Sequence, residues 1–157
     1  MKKAFTLIEL IISIGIIMVF SGMALPRYNN YNNELKLKKE VKRLVSVIEL
    51  AKKKALTSDL YDQNCSEFQG YRVAVGTYSF SLNFLCAGME QEIQEHVLDS
   101  NIIISSGTGN IDFPPIGANV NIPIGTIRLR NDSISKCIDI SITSIGIVST
   151  NESLFGC

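Results

Sequence analysis

Met1-Lys2-Lys3-Ala4-Phe5-Thr6-Leu7-Ile8-Glu9-Leu10 opens the chain, and an apolar run continues behind it to Leu25. From Phe5 to Leu25 there are 21 residues, and Glu9 is the single charge among them. As an α-helix rising 1.5 Å per residue the run is about 30 Å long, the thickness of a bilayer's hydrocarbon core. A carboxylate at the centre of such a helix costs about 2.5–3.5 kcal/mol on insertion scales, so Glu9 requires either a partner or a task. Besides a buried soluble helix, the poorest fit, three arrangements suit a basic start followed by an apolar run. A secretory signal peptide has an apolar region of only about 7–15 residues, although Ser21-Gly22-Met23-Ala24 resembles a weak cleavage site. A plain signal anchor keeps Lys2 and Lys3 inside the cell and leaves Glu9 unexplained. The third arrangement gives Glu9 a purpose.

Lys2-Lys3-Ala4-Phe5-Thr6-Leu7-Ile8-Glu9-Leu10 resembles the prepilin signature of type IV pilins and type II secretion pseudopilins. The resemblance implies a short basic leader, residues 1–4, cut by a prepilin peptidase between Ala4 and Phe5. Ala4 departs from the Gly usual before the cut. The new amine on Phe5 is then methylated, and Glu9 becomes the fifth mature residue. In that family the carboxylate meets the terminal amine of a neighbouring subunit, so Phe5 and Glu9 are the candidate assembly residues. The implied partners are the peptidase, other pilin or pseudopilin subunits, an inner-membrane assembly platform and membrane lipid. The implied location is the bacterial inner membrane, single-pass with the head outside the cytoplasm, and then a pilus or pseudopilus.

Behind the membrane helix, expected over 5–25, Pro26 lacks a backbone donor and Arg27, Tyr28 and Tyr31 suit a membrane–water boundary. Asn29-Asn30-Tyr31-Asn32-Asn33 has poor helix propensity and reads as a weak stretch, a bend or a short break. Leu37, Val41, Leu44, Val45, Ile48, Ala51, Ala55 and Leu56 then recur at three- and four-residue steps. They make 26–59 an amphipathic continuation of the helix, with exposed Glu40–Arg43 and Glu49–Lys52/Lys53 pairs on its polar side.

Residues 60–157 read as a β-rich head. Tyr71–Val75 and Tyr78–Leu85 flank a turn at Gly76-Thr77, with Tyr78, Phe80, Leu82 and Phe84 on one face. Further strands are expected at Glu92–Leu98, Asn101–Ser105, Asn110–Phe113, Asn119–Ile122, Gly125–Arg130, Cys137–Ile142 and Ile145–Ser149. The fold class is α+β and pilin-like, a long N-terminal membrane-spanning helix packed on an antiparallel β-sheet head of one or two sheets. Ile48–Leu56, Ile111–Gly117, Gly125–Leu129 and Gly146–Val148 resemble the minor pseudopilin group related to GspH and FimT.

Charge is distributed unevenly although the formal net charge is +0. From Glu34 to Asp59 there are eight Lys/Arg against four Asp/Glu, and from Leu60 onward four against ten. A basic rod therefore leads into an acidic head. The cysteines, Cys65, Cys86, Cys137 and Cys157, all follow the apolar run. An exported domain favours disulfides, and the local pairs Cys65–Cys86 and Cys137–Cys157 are expected out of three connectivities. Free thiols and a metal site are the alternatives.

No catalytic constellation emerges, and no cofactor or metal is expected. The one histidine, His96, reads as structural or solvated. There is no Gly-x-Ser-x-Gly elbow and no Walker loop, so any ATP-driven step belongs to another protein. Asp132 and Asp139 match no calcium-loop spacing. The lysines of the helix fit a solvated face, pairing between subunits or contact with nucleic acid. The resulting expectation is a structural subunit, a minor pilin or pseudopilin. The alternative is a membrane-tethered or pilus-tip binding module, either an adhesin or a DNA-uptake receptor.

Overall fold

The computed structural model describes residues 6–62, 64–115, 125–151 and 153–157, the side chains of 22–26 excepted. The expected strand Asn119–Ile122 lies outside the described residues, as do Ala4 and Phe5. Helix α1 spans Leu7–Leu56 without interruption, 50 residues and about 75 Å of rod. At Asn29–Asn33 the helix continues, so of the readings for this stretch the short break is the one that does not occur. Poor propensity costs less than about 1 kcal/mol per residue, and the head already holds the helix here. Asn131 Nδ2 donates to the Asn33 carbonyl at 3.3 Å, and Lys36 meets Asp99 at 3.2 Å. At the far end Thr57 N donates to Lys53 O and Asp59 N to Lys54 O, while Ser58 turns the chain at φ 48°.

Among the described residues nine strands follow, β1 Phe68–Val75, β2 Ser79–Cys86, β3 Met89–Val97, β4 Ile102–Ser106, β5 Gly109–Phe113, β6 Thr126–Asn131, β7 Lys136–Ile142, β8 Val148–Thr150 and β9 Phe155–Gly156. They form two antiparallel sheets. The first has the order β3-β2-β1-β5, and the second β4-β6-β7-β8 with β9 also on β7. The last two differ from expectation, because Ile145-Gly146 belongs to the turn before β8 and β9 carries no alternating pattern. Tyr78 likewise lies in the β1–β2 turn, 68% exposed, rather than on the buried face.

The core is the space between α1 and the inner faces of both sheets. Leu37, Val41, Leu44, Ile48, Ala51 and Ala55 form the buried stripe of α1, joined by Val47, which the three- and four-residue pattern passes over. Tyr71, Phe80 and Phe84 cover the stripe from the first sheet, and Ile127, Leu129 and Ile138 from the second. Leu56 is exposed, just past the point where this cover ends.

Candidate functional site

At the start of α1, Thr6 is the N-cap and Glu9 is the third helical residue, and the two satisfy each other. The Thr6 backbone N–H donates to Glu9 Oε2 at 3.0 Å and the Thr6 hydroxyl donates to the same oxygen at 2.9 Å. The Glu9 N–H donates back to Thr6 Oγ1 at 3.4 Å. This reciprocal cap pairs backbone donors that the first helical turn leaves without intrahelical partners. Both donors from Thr6 fall on Oε2. A carboxylate has about four acceptor positions, and no described residue donates to Oε1. Glu9 is therefore half-satisfied within its own chain.

The stem above this cap is apolar on every side. Leu7, Ile8, Ile11, Ile17, Met18 and Phe20 are each more than 60% exposed. A helix with no polar face is stable only when something other than water surrounds it. Among the described residues no helix is long and apolar enough to cross a membrane. The span expected over 5–25 includes Phe5 and the side chains of 22–25, which fall outside them. Tyr28 and Tyr31 are exposed where the stem gives way to the amphipathic part of α1.

In the head the four cysteines form two disulfides, Cys65–Cys86 and Cys137–Cys157. The first ties the segment after α1 to the end of β2, and the second ties the chain's last residue to β7. His96 has a structural setting. Its Nε2 donates to the buried Glu40 carboxylate at 2.7 Å, and its ring lies 5.0 Å from that of Phe80. Arg43 approaches the same imidazole and stands 3.9 Å from Glu40. The expected Glu40–Arg43 pair therefore forms, but its carboxylate is buried under β3 rather than exposed, because tertiary packing brings His96 to Glu40 from 56 residues away. The expected Glu49 pairs with Lys52 and Lys53 are absent among the described residues. Lys52 instead donates to the Gly146 carbonyl at 2.9 Å.

Asp132 and Asp139 face arginines. Arg130 donates to Asp132 at 2.6 Å, and Arg128 grips Asp139 with two bonds of 2.7 and 2.8 Å. The Arg128 guanidinium holds the Asp139 carboxyl below the usual aspartate range. On the outer face of the first sheet, Arg72 binds Asp112 at 2.6 and 3.0 Å and Glu90 at 2.8 Å, which raises the already high pKa of its guanidinium further. Asn83 Nδ2 also donates to Glu90. Among the described residues no group of three or more His, Cys, Asp or Glu is placed to hold a metal ion. The Glu40–His96 and Arg72–Asp112–Glu90 clusters have no local sequence signal, because each joins residues far apart in the chain.

Residues 1–25 match the family model of the prokaryotic N-terminal methylation motif, the signature of type IV pilins and pseudopilins. No solved structure matches the chain.

Proposed function

We propose that this chain is a structural subunit of a pilin-like filament, a minor pilin or pseudopilin, inserted in the bacterial inner membrane and assembled after its leader is removed. The observation that carries the reading is the cap at Thr6 and Glu9. It sits at the mouth of an all-apolar stem, inside the segment that matches the methylation motif. Cleavage between Ala4 and Phe5 places a new amine one residue before Thr6. Thr6 already supplies the Oε2 side of the carboxylate, and Oε1 is directed to the Phe5 amine of a neighbouring subunit. In a low-dielectric stem bundle that pairing removes two costly isolated charges together, so it favours one register between subunits. The stems then form the filament interior and the heads its outside.

The test has two parts. The mature protein from membranes is expected to begin at Phe5, with about 14 Da added by one methyl group. Its Glu9→Leu variant is expected to insert and be cut normally, yet to be lost from filaments. A mature start near residue 25, or normal incorporation of the Glu9→Leu variant, defeats the reading. The lysine-bearing face of α1 is the one observation favouring the second reading, a binding module for DNA, and measurable DNA affinity without filaments would support it.

A further inference from the structure

One surface of α1 and one of the head carry opposite charge, and no described residue covers either. On α1, Lys39, Lys42 and Lys53 are exposed along the stripe opposite the buried Leu44 and Ile48. None of the three forms an ion pair among the described residues. Of the cations that border this stripe, Lys36 is engaged with Asp99, Lys54 with Asp59 and Lys52 with the Gly146 carbonyl, while Lys38 is half-buried and has no ion pair among the described residues.

On the first sheet, β3 is an edge strand with a single neighbour, β2, among the described residues. The register sets Glu92 opposite Asn83 and Glu95 opposite Ser81. Those β2 positions alternate with Leu82 and Phe84, whose side chains enter the core, so Glu92 and Glu95 stand on the outer face. Both are exposed. The cation of this face is Arg72, and its guanidinium is occupied by Asp112 and Glu90. Glu92 and Glu95 therefore have no cationic partner among the described residues of their own chain.

We propose that, in the assembled state, Glu92 and Glu95 of one copy dock on the Lys39–Lys53 face of the next copy. The inference rests on the filament reading above, in the form in which copies of this chain are neighbours in a pseudopilus, and names the head contact that accompanies the stem contact at Glu9. A contact between two different patches on identical chains repeats as an open helical array unless its rotation closes a ring. Single exposed ion pairs add little, but a row of complementary charge fixes orientation and register while the apolar stems supply the attraction. With a screening length of about 8 Å at physiological ionic strength, the contact weakens as salt rises.

The test uses the full-length chain, co-expressed with a prepilin peptidase and an inner-membrane assembly platform with its ATPase, as a mixture of isotopically heavy and light copies in membranes. A zero-length carbodiimide reagent couples carboxylates to amines in direct contact. Heavy–light cross-links joining Glu92 or Glu95 to Lys39, Lys42 or Lys53 are expected. They should fall at least tenfold above about 0.5 M salt, well past the physiological screening regime. Glu92→Lys with Glu95→Lys should cut filament yield at least tenfold, and adding Lys39→Glu with Lys42→Glu in the same chain should restore it. Heavy–light links confined to other residues, or reversal variants that assemble at the wild-type yield, overturn this contact alone. A wild-type chain that forms no heavy–light links anywhere defeats the filament reading as well. Retention of DNA by the lysine face, with these links absent, overturns the contact in favour of a nucleic-acid partner.

Discussion

Thr6 and Glu9 form a cap that each side chain needs, but the two are not equally important to the proposed assembly. Thr6→Ala removes the hydroxyl donor and leaves the backbone N–H bond to Oε2. The loss of an N-cap of this kind costs about 1 kcal/mol of helix stability. Filament incorporation of Thr6→Ala should therefore fall only partway toward that of Glu9→Leu, as read by the sedimentable fraction. Equal losses would make the cap, not the carboxylate, the essential feature. In the head, Asp139 offers a pH test. Its pKa lies below the ordinary 3.8 because of Arg128, so its contribution to stability is present above that value and lost as pH falls through the lower folded value. Between about pH 5 and 2, thermal stability of the wild type should drop more steeply than that of Asp139→Asn. Parallel curves would show that the pair contributes nothing, a real outcome given that Arg128 is 43% exposed. The sequence shows that Arg128 and Asp139 exist, but only strand register sets them opposite one another.

Helix α1 illustrates how an element can be half legible. Its buried stripe follows from spacing, because residues three and four apart share a face and the face richest in Leu, Val, Ile and Ala goes inward. Ile48→Ala should cost about 2–5 kcal/mol, since the side chain is fully buried against both sheets. Leu56→Ala, at the last position of the same stripe, should cost less than about 0.5 kcal/mol because that side chain is exposed. Denaturation midpoints of the two variants in detergent check the contrast. What spacing does not reveal is where the cover stops, or that Glu40 lies beneath β3. Strand β1 has a similar hidden constraint at Gly70. Its φ is +115°, and a Cβ there would lie 2.1 Å from the Phe113 carbonyl oxygen on β5. Gly70→Ala should destabilise the first sheet by more than about 1 kcal/mol, measured by the same midpoint. A glycine in an otherwise regular strand hints at close backbone approach, but not at which strand approaches.

Across the whole molecule, two disulfides hold both ends of the head. Each closes a loop, with sequence separations of 21 and 20, which in the chain-entropy model corresponds to about 3 kcal/mol. Reduction should lower the denaturation midpoint sharply and should free Cys157 and β9 from β7. An unchanged midpoint would mean that the sheet pairing alone secures the C-terminus. The short separations made the local pairing the natural one among three. By itself the sequence determined the polarity of the molecule: an apolar stem with one carboxylate, a basic helix, and a cysteine-bearing β head. These are properties of local composition and periodicity, which need no knowledge of distant residues. Only the tertiary structure decided that the strands divide into two sheets that jointly cover α1. It also decided that His96 meets Glu40, and that Glu92 and Glu95 face outward while Lys39, Lys42 and Lys53 lie on the uncovered side of the helix. Those facts depend on register and on which element packs against which, and both are set by contacts between residues too far apart in the chain for any local pattern to record.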